Sequence, residues 1–242
     1  MEQKVLRAVM VCLLLMSMAI LGRETAAYVE TVNAVNVLQG NNADTDGIPT
    51  VVIDAGHGGD DPGKIGINGA PEKDINLRIT EKLRQYLEAD GIRVVLTRET
   101  EDGLYDASAP NKKVQDMKRR IEKIEQTDPV LTVSIHQNSY PDAAVKGAQV
   151  FYYTDSGEGK RLAFCMQNAL VAGLDPENHR KAKGNKTYYM LKKTDAVLVI
   201  CECGFLSNPE EEALLNTKEY QKKVADALCS GILEYLREKK DE

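Results

Sequence analysis

The chain of 242 residues contains only three histidines, His57, His136 and His179, so any imidazole-based site must be built from that short set. His57 stands in Asp54-Ala55-Gly56-His57-Gly58-Gly59-Asp60-Asp61, a glycine-rich turn that follows the apolar run Thr50-Val51-Val52-Ile53. A turn of this kind after a strand can cradle a phosphate, yet neither G-x-G-x-x-G nor the Walker lysine pattern is present. His136 closes another apolar run, in Ser134-Ile135-His136-Gln137-Asn138. One histidine at a strand end is more often a hydrogen-bonded structural residue than a ligand. Two at separate strand ends favour a shared site, because open α/β sheets bind ligands at the carboxyl ends of their strands.

A hydrolytic zinc keeps three protein ligands plus a water, so two histidines call for one carboxylate. Glu72, in Pro71-Glu72-Lys73-Asp74-Ile75-Asn76-Leu77, is the candidate. Proline followed by glutamate in a first helical turn is also what the helix dipole favours by itself, so ligand and cap remain alternatives at this level. A second carboxylate, Glu202, lies in the apolar run Val199-Ile200-Cys201-Glu202-Cys203-Gly204-Phe205, where it is costly unless paired, protonated or linked to a metal. Strand alternation turns Glu202 to one face and Cys201 and Cys203 to the other. Desolvation would raise its proton affinity, which suits a general base that takes a proton from an attacking water and returns it to a leaving amine. The alternative is a glutamate neutralised by a buried Arg or Lys. His179 lies in the polar, basic segment Asn178-His179-Arg180-Lys181 and reads as a surface residue; the nearby Arg180, Lys181, Lys183 and Lys186 are either a solvated loop or a complement for substrate carboxylates.

These residues need a scaffold. Hydrophobic residues make up 43% and charged residues 28% of the chain, enough for a core, and the net charge of −6 argues against nucleic acid as a partner. From residue 50 onward, apolar β-branched runs alternate with helix-periodic segments. Strands are expected at 50–54, 93–97, 131–136, 147–153 and 196–201, and helices over about 75–89, 113–126, 159–171 and 220–236, with an exposed loop at 101–112. The pattern implies a single α/β domain with a twisted, mostly parallel (mixed) sheet covered by helices on both faces.

Ahead of this domain, Lys4 and Arg7 precede an uncharged apolar run from Ala8 to Leu21, shorter than the ~18 residues of a spanning helix. Residues 1–27 therefore read as a signal peptide or an N-terminal anchor, 28–48 as a polar linker and 49–239 as the catalytic domain. Beyond Cys12, the cysteines Cys165, Cys201, Cys203 and Cys229 could form two disulfides in an exported protein. The core is large enough without them and a Cys201–Cys203 bridge would be strained, so buried free thiols are expected.

Taken together, Ile53-Asp54-Ala55-Gly56-His57-Gly58-Gly59, Glu72-Lys73-Asp74-Ile75-Asn76-Leu77, Thr97-Arg98, Ser134-Ile135-His136-x-Asn138 and Glu202-Cys203-Gly204-Phe205-Leu206-Ser207-Asn208 resemble the zinc-dependent N-acetylmuramoyl-L-alanine amidases of the amidase-3 type. The resemblance runs from about residue 49 to 236 and is strongest toward the germination-specific, spore-cortex amidases. It implies His57, Glu72 and His136 as ligands of one Zn2+ and Glu202 as the catalytic glutamate. The implied reaction is hydrolysis of the amide between N-acetylmuramic acid and L-alanine of the stem peptide, in spore cortex a step toward muramic-δ-lactam. Arg98 and Arg120 fall on family-like positions and read as structural ion-pair residues; Asn138 is expected to line the site. Gln137 departs from the small or apolar residue usual there and could narrow the groove.

The expected partners are peptidoglycan stem peptides and an accessory protein, with membrane contact only through an uncleaved N-terminal segment. Export to the cell envelope, or to the cortex and intermembrane space of a spore, follows from the same reading. The competing functions are a catalytically silent peptidoglycan-binding or regulatory protein, a vegetative cell-wall autolysin, and a zinc peptidase or deacetylase on the same scaffold.

Overall fold

The structure, a computed structural model, describes residues 47–241. The leader expected at 1–27 and the linker up to residue 46 lie outside the described residues. Among those described, no helix is long and apolar enough to cross a membrane.

Six strands form one sheet: β1 (Thr50–Ala55), β2 (Arg93–Leu96), β3 (Leu131–Asn138), β4 (Gln149–Tyr153), β5 (Lys183–Asn185) and β6 (Leu198–Phe205), in the order β2-β1-β3-β6-β4-β5. Strands β2, β1, β3 and β6 run parallel; β4 joins β6 antiparallel and carries β5 parallel at its far edge. The mixed, mostly parallel sheet is the expected one. The long helices are α1 (Glu72–Ala89), α2 (Lys112–Thr127), α3 (Gly157–Leu174) and α6 (Lys218–Lys240), with short α4 (Tyr189–Lys193) and α5 (Pro209–Leu215) between them.

Strand alternation divides the core in two. Val51, Ile53, Val133, Ile135, Val199, Cys201 and Cys203 face a large cluster completed by Ile75, Ile79, Leu83 and Leu87 of α1, Leu162 and Met166 of α3, and Val224, Leu228 and Ile232 of α6. Val52, Leu198 and Ile200 face the other side, against Ile124 of α2 and Met190 and Leu191 of α4. Asp54, Ser134, His136 and Glu202 share the parity of this second, thinner side, so the polar residues of three strands emerge on one face near their carboxyl ends.

Some expectations need correction. Strand β6 runs four residues past the expected end at 201, so Glu202 sits inside a paired strand opposite His136. The ladder shifts register between His136 and Asn138, a bulge that absorbs the extra residue of β6. Strand β5 and helices α4 and α5 were not anticipated: Lys-Gly-Asn carries no strand signal and pairs only because β4 offers an open edge, while α4 and α5 are too short to show a period.

Cys165, Cys201, Cys203 and Cys229 are free and buried. Burial pushes the thiols of Cys201 and Cys203 well above their ordinary range. Ellman's reagent is expected to react with none of the four in folded protein and with all four after denaturation without reductant; thiols missing from the denatured count would reveal disulfides.

Candidate active site

Three elements deliver the donors. His57 follows β1 with φ 63, in the left-handed region that non-glycine residues avoid, and Gly58 and Gly59 continue the turn with φ 142 and 57. Glu72 opens α1, and His136 lies near the end of β3. His57 Nε2 is 3.2 Å from Glu72 Oε2, and His136 Nδ1 is 3.0 Å from Glu72 Oε1. The rings meet edge to face with centroids 4.9 Å apart, and one donor atom from each residue lies within 4.8 Å of the others. Among the described residues this is the one group of His, Cys, Asp or Glu side chains that could hold a metal ion.

The carboxylate of Glu72 is turned to this group while Glu72 still stands in the first turn of its helix. Its oxygens also accept from Lys64 N (2.8 Å), Gln137 N (3.0 Å) and Asn76 Nδ2 (3.3 Å). Burial opposes its charge, but the hydrogen bonds and charges of His136 and His57 outweigh burial and hold Glu72 well below the usual carboxylate range. Gly63 completes the wall, because a Cβ there would lie 2.5 Å from Glu72 Oε2 and 2.7 Å from the His57 ring.

Glu202 faces the same cavity, of about 520 Å³, which is also lined by Lys64, Lys113, Met117, Asn138 and Tyr188. Its Oε2 is buried and has no hydrogen-bond partner among the described residues. Desolvation pushes this carboxyl up to about 7, with the charge of Glu72 acting in the same direction and His136 against it. No buried Arg or Lys neutralises it among the described residues. Two histidines and an ionised carboxylate with an unpartnered glutamate beside them fit a divalent ion with nitrogen and oxygen ligands.

The frame behind His57 is ionic. Asp54, fully buried, accepts from Thr97 Oγ1 (2.6 Å), Ser134 Oγ (2.6 Å) and Arg120 Nη1 (2.7 Å). Arg120 also pairs with Asp116 and donates to the carbonyls of Ala55 and His57. Arg98 corrects the ion-pair expectation: its donors go to the carbonyls of Ala55, Gly56, Lys73 and Thr100. Two guanidiniums thus hold three successive carbonyls of the His57 turn, and Arg98 ties that turn to the residue next to Glu72.

Asn138 lines the cavity as expected. Gln137 is 2% exposed and donates from Nε2 to Asn76 Oδ1, so it props the residue that holds Glu72. His179 is exposed and stands apart from the cavity lining. Nor do Arg180, Lys181, Lys183 and Lys186 reach the cavity: Arg180 lies over Phe205 and Lys186 pairs with Asp155, while the cavity's own cations are Lys64, Lys113 and Arg120. Asn76 and Asp61 escaped the sequence reading. Their signal is spacing, since each follows its partner, Glu72 or His57, by four residues.

Two histidines and a glutamate around a point, with a second, desolvated glutamate beside them at the carboxyl edge of a parallel sheet, define a metal-dependent hydrolase. Comparison narrows the class. The N-acetylmuramoyl-L-alanine amidase family (Amidase_3) matches residues 51–234. A germination-specific N-acetylmuramoyl-L-alanine amidase of Bacillus subtilis is 36% identical over 194 residues, covering 79% of this chain and 81% of the relative. Among solved structures, the CwlD amidase from Clostridioides difficile, in complex with the GerS lipoprotein, superposes with TM-score 0.76 at 40% identity over 78% of this chain and 98% of that one. The amidase AmiC2 of Nostoc punctiforme gives TM-score 0.67 at 32% identity, over 78% of this chain and 97% of that one. The chain belongs to the N-acetylmuramoyl-L-alanine amidase family, and its activity is that of an amidase.

Removing one partner of a buried ion pair costs ~3–5 kcal/mol, so Arg120→Met is expected to lower unfolding free energy by about that amount in denaturant titrations. Burial raises the Asp54 pKa, but Arg120, Ser134 and Thr97 lower it further, from the ordinary 3.8 to about 2. The stabilisation from ionised Asp54 is therefore complete above about pH 4 and lost as pH falls toward 2. The stability gap between wild type and Asp54→Asn should be widest near neutrality and narrow across that window.

Proposed function

We propose that His57, Glu72 and His136 hold one zinc ion per chain and that Glu202 is the acid–base catalyst for hydrolysis of the amide between N-acetylmuramic acid and L-alanine of peptidoglycan stem peptides. The observation that carries the reading is Glu202, whose buried Oε2 has no hydrogen-bond partner among the described residues and which faces the same cavity as the His-Glu-His group. When bound, zinc supplies Lewis acidity toward the amide carbonyl and toward water. Every other requirement falls to the chain. Glu202 is poised by desolvation to exchange a proton near neutral pH; it takes one from the attacking water and returns it to the departing L-alanine amine, so that the water's hydroxyl ends on the lactyl carboxyl and its other proton on the amine. Glu72, held by Asn76 and by the amides of Lys64 and Gln137, keeps its orientation and its charge. Asn138 offers an amide at the cavity wall for the substrate backbone.

The cortex of a spore is the proposed setting, supported by the Bacillus subtilis relative, named for germination. In that setting, removal of the stem peptide precedes muramic-δ-lactam formation. An accessory protein is part of the proposal, supported by the neighbour solved in complex with a lipoprotein. Export through residues 1–27, a linker at 28–48 and a catalytic domain at 49–239 complete it.

The zinc-loaded protein, incubated with purified muropeptides, is expected to release peptides with a free L-alanine amino terminus. Release of acetate, or cleavage between amino acids, would instead mark a deacetylase or a peptidase, and a wild type that releases nothing would refute the activity. Glu202→Gln should lower kcat by at least ~100-fold while zinc stays bound, as loss of a proton-transfer group does.

A further inference from the structure

His57 is flanked on both sides by carboxylates. Its Nε2 faces Glu72, and its Nδ1 lies 3.0 Å from Asp61 Oδ2. Asp61 is itself fixed. Its backbone exchanges two hydrogen bonds with Gly58, of 3.0 and 3.1 Å, which folds residues 57–61 back on themselves. Gly63 N donates to its Oδ1 at 3.1 Å, and Lys113 Nζ, from the first turn of α2, reaches its Oδ2 at 3.2 Å.

His136 is held differently. It presents Nδ1 to Glu72, and its ring lies against Gly56, where a Cβ would overlap it. Among the described residues no carboxylate meets its other nitrogen. His57 sits on a glycine-flanked turn; its Cδ2 lies against Gly63, and its Nδ1 faces a carboxylate of a kind that His136 lacks.

We infer that Asp61 is a positioning residue for the metal: it accepts the Nδ1–H of His57, fixes the tautomer whose lone pair is on Nε2, and thereby holds that lone pair toward Glu72. The two histidines accordingly offer unlike nitrogens, Nε2 from His57 and Nδ1 from His136. Partners of this type fix ring orientation and raise the donor strength of the ligating nitrogen. Asp61 acts only through His57 and touches no reacting atom. The inference rests on the His-Glu-His zinc reading.

The test is zinc affinity, measured by competition with a chromophoric chelator, for wild type, Asp61→Asn and Asp61→Ala. Loss of such a partner costs about 10–100-fold in metal affinity, which is the expectation for Asp61→Ala. Asp61→Asn should fall between, because its amide oxygen still accepts Nδ1–H while the charge is gone. Long-range nitrogen–proton NMR of the zinc-bound wild type should find His57 protonated at Nδ1 and His136 at Nε2, and Asp61→Ala should remove the hydrogen-bonded downfield shift of the His57 Nδ1 proton alone, a change that a purely structural role of Asp61 would not produce. Wild-type affinity in Asp61→Ala, or His57 protonated at Nε2, would overturn the inference and leave the zinc reading intact. A wild type that binds no zinc would overturn both.

Discussion

The Asp54–Arg120 ion pair is the constraint on which the site depends. Both side chains are buried, at 0% and 1% exposure, and such a pair is tolerable only when every remaining donor and acceptor is satisfied. Here the surplus donors are spent on the backbone of the His57 turn. A turn that leaves its strand through a left-handed residue followed by two glycines has no regular ladder to hold it, so its carbonyls need donors from elsewhere. Arg120 brings them from α2 and Arg98 from the segment after β2. The same guanidiniums reach Asp116 and Lys73, so the turn, α2 and the start of α1 are fixed relative to one another by hydrogen bonds of a few buried groups.

That frame gives two carboxylates in one cavity opposite environments. Glu72 is surrounded by donors and stays ionised; Glu202 is desolvated without donors and holds its proton toward neutrality. The residue type is the same and the environment separates them, which is how paired carboxylates acquire distinct roles. The cavity exists because the two faces of the sheet are covered unequally. The face under α1, α3 and α6 is filled with aliphatic side chains, whereas α2 and the single turn of α4 cover the other and leave open the region over Ile200, Glu202 and His136.

Much of this was legible from residue order. The α/β alternation, the strand-end positions of His57 and His136, the opposite faces of Glu202 and its flanking cysteines, and the absence of disulfides all follow from periodicity and from the cost of burying polar groups, which are local properties of the chain. The boundaries that failed lie where pairing decides: β6 continues through Glu202 because β3 supplies partners on one side and β4 on the other, and β5 forms on an edge that only the assembled sheet provides.

Tertiary structure alone decided what each carboxylate and cation meets. Glu72 at a helix start reads as a cap or a ligand, and only the fold of β3 brings His136 within 3.0 Å of it. Arg98, expected to meet a carboxylate, meets carbonyls, because the turn beside it is short of donors. The basic stretch 180–186 looks fit for substrate, yet its pairing with β4 carries it off the cavity wall, and Lys64 and Lys113 stand there in its place. Composition and spacing determine which groups the chain can offer and the elements that bear them. Their partners come from segments distant in sequence, and the balance of desolvation against hydrogen bonding that sets each group's charge is defined only once those segments have packed.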